Sequence, residues 1–288
     1  MRTRLALRVR RGLGLRPGEH RFPGHADVSG IELEGHRTYA PGDDLRHLDW
    51  NVLGRLDLLL VRRFTAEREV PFHFLLDTSA SMAVPAGDGK LAAACALVEA
   101  LGTIALDAGD AVRVALLGGA GGVRVSPVLR ARGRLRWLRA FLGDVGAAGG
   151  LDLGAALAAY ASRTPDPGAT FVVSDFLGDP AGIERGVAAL RARRNDVTLL
   201  QVLGPTDVEP AKTFQVGLLA DAESGETHPM RLTAAVRARY AALLAAHVVS
   251  LRALAVRTGA DWAQLVAGGS LDAFVRGELV RLGVVRRR

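Results

Sequence analysis

The chain has 288 residues, of which 49% are hydrophobic and 23% are charged, and its formal net charge is +7. This composition is typical of compact globular proteins and argues against extensive disorder, and the length allows a large core that needs no crosslink. The single cysteine, Cys95, excludes an internal disulfide and a zinc site built from cysteines.

Residues 1–70 are rich in glycine, proline and charged side chains, with short β-like pieces near residues 30–33 and 58–64. We expect them to form a separate, small β-rich accessory layer. Residues 1–16 alternate arginine with leucine and lack the apolar block of a secretory signal. Elsewhere glycine or charge interrupts each apolar segment before about 18 residues, so no membrane-spanning helix is expected and the cytoplasm is the expected location.

Arginine and aspartate are concentrated around a proline–glycine turn within this N-terminal part. The segment contains Arg37, Tyr39, Pro41, Gly42, Asp43, Asp44, Arg46, Asp49, Trp50, Arg55 and Arg62, and is called the signature loop below. Its arginines and aspartates are suited to bidentate pairs that lock a loop in place. We favour such a structural ion-pair network, with Trp50 as an anchor beneath it, over a partner-binding or catalytic role. An exposed Trp50 would instead indicate an interface.

The most informative stretch is the apolar run 72–76, which ends in Asp77, Ser79 and Ser81. Such a run predicts a buried parallel strand, whose carboxyl end is where open α/β sheets place their ligands. The three polar side chains offer only oxygen, the ligand atom that suits a hard cation such as Mg²⁺. The alternative is a turn in which the hydroxyls cap the following helix.

Helical and β-type segments alternate through the rest of the chain. The predicted helices are 91–106, 134–142, 153–163, 180–193, 230–256 and 271–282, and the predicted strands are 112–117, 123–129, 170–174, 197–203 and 260–265. The glycine-rich turn 118–122 predicts a hairpin and hence an antiparallel edge strand. Helix 230–256 is expected to be amphipathic, with a stripe of Leu232, Val236, Tyr240, Leu243, Leu244, Val248 and Leu251. The predicted fold is therefore α/β, a mostly parallel sheet with helices on both faces.

Two further segments are expected to converge on Asp77 at the same edge of this sheet. Asp175 follows the strand 170–174 and brings a second carboxylate. The loop 149–152 precedes the next helix and faces the same cleft.

Two motifs resemble known families. The spacing of Asp77, Ser79 and Ser81 resembles the first element of the metal-ion-dependent adhesion site of von Willebrand factor A domains. Residues 36–50, with Arg55 and Arg62, resemble the signature that precedes the A domain in the bacterial family called domain of unknown function 58. Pieces at 222–225 and 239–240 extend this resemblance over most of the chain.

The resemblance implies an accessory segment at residues 1–70 and a von Willebrand factor A-like domain with a C-terminal helical extension at residues 71–288. It implies a site for Mg²⁺, or alternatively Mn²⁺ or Ca²⁺, with the ligands Asp77, Ser79, Ser81 and Asp175. The threonine ligand of A domains corresponds to Leu151, which cannot coordinate a metal, so Asp152 or a water is left to fill that position. The resemblance also implies a MoxR-type AAA+ ATPase as partner, in chaperone-like complex assembly.

The leading functional hypothesis is a non-enzymatic interaction protein whose cation is completed by an acidic side chain of the partner. Metal-dependent phosphoryl or ester hydrolysis by Asp77 and Asp175 is the alternative, but it lacks a general base and a second metal cluster. Nucleic-acid binding would use the basic run Arg124, Arg130, Arg132, Arg134, Arg136 and Arg139. Few aromatic residues accompany that run, so a solvated helix face is the favoured interpretation and no nucleic acid is expected.

Overall fold

The structure is a computed structural model, and it describes residues 5–8, 31–66, 71–118, 122–164, 167–210, 216–220, 222 and 226–287. The chain divides into two compact units, Leu15–Glu69 and the pair of segments Met1–Gly14 and Val70–Arg288. Strand β1 (Leu5–Leu7) pairs antiparallel with the C-terminal strand Val285–Arg287. Residues 5–7 therefore belong to the larger unit, and not to the accessory segment in which the sequence analysis placed them.

The smaller unit is built on an antiparallel pair. Strand β2 (Ile31–Thr38) pairs with β3 (Leu60–Ala66), and the register shifts between Leu33 and Gly35. The connection contains a 3-10 turn at Leu45–His47 and the short helix α1 (Trp50–Leu56). The β-rich character predicted for this part of the chain is thus present; β2 is longer than the piece 30–33 that indicated it, and β3 is shifted by two residues from the piece 58–64.

The larger unit contains a six-stranded sheet in the order β11-β8-β7-β4-β5-β6. Besides β1, the described strands of this unit are β4 (Phe72–Asp77), β5 (Val112–Leu117), β6 (Arg124–Val125), β7 (Ala169–Ser174), β8 (Asp196–Leu203), β9 (Val216–Ala220), β10 (Thr227–Arg231), β11 (Asp261–Val266) and β12 (Val285–Arg287). Neighbours in the sheet are parallel except β6, which is antiparallel to β5. This confirms the mostly parallel sheet with one antiparallel edge.

Helices cover both faces of the sheet. They are α2 (Lys90–Ala108), α3 (Leu135–Gly143), α4 (Leu153–Arg163), α5 (Pro180–Ala192), α6 (Pro205–Val208), α7 (Ala234–Thr258), and α8 (Leu271–Ala273) and α9 (Leu279–Arg281), which are joined by a π-turn. Alternation along β4 divides the core, because Phe74 and Leu76 enter the cluster with α2 and α3, whereas Leu75 enters the cluster with α4, α5 and α7. The mixed α/β fold is therefore as predicted.

Helix α7 departs from its prediction in two ways. It begins at Ala234, because Met230 and Arg231 belong to β10, which pairs with β9. The predicted apolar stripe is only partly covered in the first half of the helix, since Leu243 is 61% exposed whereas Tyr240 and Leu244 are half-buried. Burial is confined to Leu251, Leu254 and Ala255 of this helix, where it packs against α5 and β11.

Two helices of the described residues, α2 and α7, are long and apolar enough to cross a membrane by length and composition alone. Glycine and charge do interrupt these helices, as at Glu99 and Gly102 of α2, and the expectation that neither spans a membrane stays a prediction, because the core helices of globular proteins pass the same test. Of the most apolar 18-residue segment of each helix, 39% is buried in α2 and 17% is buried in α7. Helix α2 packs its apolar side chains into the core against the sheet, whereas most of α7 lies outside the core.

Helices α4 and α5 approach each other through glycine. A Cβ atom at Gly186 would lie 2.7 Å from the carbonyl oxygen of Gly154 and 2.9 Å from the Cβ of Leu157. The backbones are therefore too close for a methyl group at this position.

We expect Gly186→Ala to lower the free energy of unfolding by about 1–3 kcal/mol, because overpacking outweighs the better helix propensity of alanine. Gly143→Ala is the matched control, since a Cβ there meets nothing within 4 Å. Urea denaturation of both variants measures the difference. Equal stabilities of the two variants would show that the contact between α4 and α5 tolerates a methyl group.

Candidate functional site

Asp77 is the last residue of β4, and its carboxylate is buried at the carboxyl edge of the sheet. One oxygen, Oδ1, accepts hydrogen bonds from the Ser79 backbone N–H at 2.9 Å and from the Ser79 hydroxyl at 2.7 Å. The Ser79 and Ser81 hydroxyl oxygens are 3.0 Å apart. The structure thus brings the three oxygen-bearing side chains of the predicted motif together in one turn.

The second oxygen of Asp77 is engaged from strand β7. The Ser174 hydroxyl donates to Oδ2 at 2.6 Å and accepts from the Phe176 N–H at 2.9 Å. Burial raises the pKa of the Asp77 carboxyl, the hydrogen bonds from Ser174 and Ser79 oppose this, and the nearby charge of Asp175 adds to the rise. Two carboxyl groups from strands β4 and β7 therefore share one edge, and Ser174 is a connecting residue that the sequence analysis did not single out.

The turn that presents Asp175 is fixed on both sides. Phe176 is a buried non-glycine residue with a left-handed φ of 54°. Its carbonyl oxygen lies 2.6 Å from Nε2 of His247 on α7, and the Leu177 N–H donates to Asp175 Oδ1 at 3.3 Å. A strained backbone conformation that the surroundings hold in place is typical of functional sites, and here it fixes the turn that carries Asp175.

A buried ammonium group completes this edge. Lys90 begins α2 and is 3% exposed, and its Nζ lies 3.4 Å from Asp175 Oδ2 and 3.1 Å from Asp207 Oδ2. Asp207, in α6, also accepts the Gly204 N–H at 2.8 Å. The sequence analysis missed both Lys90 and Asp207. A signal was present, however, because Lys90 is one of only two lysines among 37 basic residues.

The loop 149–152 does lie beside the Asp77 turn, but it brings no side-chain ligand. The Gly149 carbonyl oxygen accepts the Ala80 N–H at 2.8 Å. Leu151 packs against the core cluster of α4, α5 and α7. Asp152 caps α4 by accepting the Ala155 N–H at 2.9 Å, so its carboxylate does not take the missing threonine's place.

The donors present fit a hard cation in part. Asp77, Ser79 and Ser81 supply carboxylate and hydroxyl oxygens from a single turn, as Mg²⁺ requires. Asp175, the fourth ligand that the resemblance implies, faces Lys90 instead. Within the described ranges no group of three or more His, Cys, Asp or Glu side chains is arranged to hold a metal. A cation at this edge would therefore depend on the serine hydroxyls.

The signature loop of the smaller unit contains the predicted arginine–carboxylate pairs. Arg37 makes a bidentate pair with Asp43, both distances being 2.6 Å, which lowers the pKa of the Asp43 carboxyl to about 2. Asp49 accepts from Arg62 Nε at 2.9 Å and lies 2.8 Å from Nε2 of His36. These partners hold the Asp49 pKa well below its ordinary value.

The remaining positions of the signature loop lie nearer the solvent. Asp44 accepts the Arg46 N–H and caps the 3-10 turn, and its pair with the Arg46 side chain is a longer 3.4 Å and exposed. Gly42 has a left-handed φ of 103°, as the turn between Pro41 and Asp43 requires. Arg55 is exposed and Tyr39 is half-buried.

Trp50 is 62% exposed, so its expected role as an anchor beneath the loop is wrong. It is the first residue of α1, and Asp49 caps that helix through the N–H groups of Asn51 and Val52. The smaller unit has further exposed large apolar side chains at Leu45, Leu56, Leu58 and Leu59. Exposed tryptophan among apolar residues is typical of an interaction surface.

Three of the six arginines of the basic run lie beside acidic neighbours. Arg132 lies 2.9 Å from Asp107, and Arg139 lies 2.7 Å from Glu99. Arg124 lies 3.6 Å from Asp144 and also stacks over the Phe141 ring. These contacts favour the interpretation of the run as a solvated helix face.

We expect Asp49→Ala to speed amide hydrogen exchange across residues 36–62, because it removes the acceptor for Arg62, His36 and the start of α1. In the unaltered chain the same loosening is expected as pH falls below about 4 toward the lowered pKa, since a depressed carboxyl pKa contributes stability only above that range. Arg55→Ala, at an exposed position, is the control. If both variants exchange alike, Asp49 does not hold the loop.

Comparison with solved structures finds similar chains at low sequence identity. The conserved hypothetical protein BatB from Bacteroides thetaiotaomicron is 18% identical, over 74% of this chain and 98% of that one, with a TM-score of 0.46. The vWF domain of the type V pili tip protein Mfa5 from Porphyromonas gingivalis is 13% identical, over 76% and 97%, with a TM-score of 0.40. Scores this low carry no argument of their own, and the fold rests on the sheet order and helices of this chain.

Sequence relatives give a closer assignment. The uncharacterized protein Rv1480 of Mycobacterium tuberculosis is 31% identical over 262 residues, which are 87% of this chain and 78% of the relative. The uncharacterized protein Mb1516 of Mycobacterium bovis matches with the same values. The family model described as "Protein of unknown function DUF58" matches residues 35–250, from the signature loop into α7. The chain therefore belongs to the DUF58 family, and its larger unit has a mixed α/β fold with a mostly parallel sheet.

Proposed function

We propose that this protein is a non-enzymatic interaction module whose binding face is the carboxyl edge of the sheet. In this proposal a divalent cation bound by Asp77, Ser79 and Ser81 is completed by an acidic side chain of the partner. The observation that carries it is the chain of oxygen atoms in this turn, in which the Ser79 hydroxyl donates to the Asp77 carboxylate and the Ser81 hydroxyl oxygen lies 3.0 Å from that of Ser79. Ser81 is half-buried whereas Asp77 and Ser79 are buried, so Ser81 is the side of the cluster nearer to an approaching partner.

The contacts of the acidic groups favour binding over hydrolysis. Asp77 already accepts hydrogen bonds on both oxygens, and Asp175 pairs with Lys90. A hydrolytic mechanism needs a free general base near the reacting atoms. His247, which contacts the turn that carries Asp175, is engaged with the Phe176 carbonyl oxygen. An enzymatic role is for these reasons not part of the proposal.

The proposed partner is a MoxR-type AAA+ ATPase, and the proposed process is chaperone-like assembly of protein complexes. Membership of the DUF58 family supports this choice through the resemblance of the signature loop and the Asp77 motif. The partner's contribution is a carboxylate, because a hard cation with a few protein oxygens accepts another anionic oxygen readily. The apolar surface around Trp50 is the second proposed contact.

We expect the double variant Ser79→Ala/Ser81→Ala to lose co-purification with the MoxR-type ATPase, because the hydroxyl ligands are gone. EDTA should have the same effect on the unaltered chain. Ser162→Ala is the control, since that exposed hydroxyl bonds only to its own helix. Capture of the ATPase that survives both the double substitution and the chelator, with circular dichroism unchanged, would refute a cation-mediated contact.

We expect Trp50→Ala to weaken ATPase binding while it changes the free energy of unfolding by less than about 0.5 kcal/mol, as substitutions at exposed positions do. Leu48→Ala is the contrasting variant: Leu48 is buried, and its truncation should cost about 2–5 kcal/mol. Binding by surface plasmon resonance and urea denaturation give the two readouts. An unchanged affinity for Trp50→Ala would remove this surface from the proposal.

A further inference from the structure

The carboxyl edge of the sheet already contains one positive charge of its own. The Lys90 side chain is 2% exposed, and its ammonium lies between the carboxylates of Asp175 and Asp207, which are 4% and 12% exposed. A lysine is almost never buried to this degree unless it is paired. The pairing is thus the reason that a charged group is tolerated at this position.

The ammonium is held in place by the backbone around it. Lys90 is fixed as the first residue of α2. Asp88, two residues earlier, accepts the Thr206 N–H at 2.9 Å and the Thr206 hydroxyl at 2.7 Å. Thr206 and Asp207 are adjacent in α6, so the segment that carries Lys90 is tied directly to the segment that carries its second carboxylate. Lys90 is therefore a fixed charge in the site.

A fixed ammonium acts on a divalent cation in two ways. It pairs with the carboxylate of Asp175, so Asp77 is the carboxylate left for a cation beside the serine hydroxyls. It also repels any second positive charge nearby, and this repulsion is large where burial keeps water away.

We propose that Lys90 is a built-in competitor of the divalent cation, and that its charge sets a low cation affinity at the Asp77 site. This inference rests on the proposed function, because it concerns the same site. It assigns Lys90 as a positioning and affinity-setting residue, one that touches the ligand Asp175 and not the cation itself.

The test measures Mn²⁺ binding by electron paramagnetic resonance of free Mn²⁺ and by calorimetry, with the full chain. Lys90→Met keeps the length of the side chain and removes its charge, and we expect it to tighten Mn²⁺ binding by at least about tenfold. Lys90→Arg keeps the charge and should bind no more tightly than the unaltered chain. Ser79→Ala/Ser81→Ala added to Lys90→Met should abolish the gain, which locates the gained Mn²⁺ at the Asp77 turn.

The variant Asp207→Asn distinguishes the effect of the Lys90 charge on Mn²⁺ affinity from the effect of loosening the structure around it. It disturbs the same contact but leaves the ammonium, so Mn²⁺ affinity should stay the same or fall. Lys90→Met also leaves two buried carboxylates unpaired, which is destabilising. If thermal melting in EDTA shows that it does not fold, the double variant Lys90→Met/Asp207→Asn replaces it and is compared with Asp207→Asn alone.

The outcomes distinguish this inference from the proposed function. Tighter Mn²⁺ binding in Lys90→Met alone, whether or not the unaltered chain binds detectably, supports the inference. Measurable and equal affinities in the unaltered chain and Lys90→Met overturn it and leave the cation site standing. An equal gain in Asp207→Asn also overturns it, because loosening would then explain the effect. If no variant binds Mn²⁺, both the inference and the cation in the proposed function are wrong.

Discussion

The buried carboxylate of Asp77 needs hydrogen-bond donors on both of its oxygens. Two separate segments of the chain supply them, one adjacent in sequence and one distant. A carboxylate removed from water without such donors would be strongly destabilising. Ser79 supplies them from the following turn, and Ser174, 97 residues further along the chain, supplies one from the neighbouring strand. Because β4 and β7 are parallel neighbours, their carboxyl ends meet, and this one group therefore fixes both the turn after β4 and the turn that carries Asp175.

The geometry of this edge suits a lysine, although arginine is the basic residue almost everywhere else in the chain. An ammonium is a compact point charge with three donors, and it fits between two carboxylates that approach from α6 and from the end of β7. A guanidinium is planar and wider, and it suits the bidentate geometry that Arg37 shows with Asp43 in the exposed signature loop.

The sequence predicts those features that depend on local order along the chain. The apolar run that ends at Asp77 predicts a strand buried on both faces. In the structure every residue of β4 is buried. Turn residues beside arginine and aspartate likewise predict a loop held by arginine–carboxylate pairs, as at Pro41, Gly42 and the neighbouring aspartates. The contact of Lys90 with Asp207 lies beyond such reasoning, because it depends on how β8 and α6 return to the start of α2. Helical periodicity also cannot tell that Leu243 has no covering element, whereas Leu251 meets α5 and β11.

The leucine at position 151 and the lysine at position 90 affect a cation at this edge in the same direction. In the proposed cation site, Leu151 stands where the resemblance implies an oxygen ligand and packs against the core instead, and Lys90 pairs with the carboxylate of Asp175. The oxygen donors left are those of one turn, at Asp77, Ser79 and Ser81. Mg²⁺ prefers about six oxygens, so in the proposed mode about half of its coordination falls to water and to the partner's carboxylate. The partner's carboxylate then raises the affinity for the cation, and the binding of the cation and that of the partner are coupled in both directions.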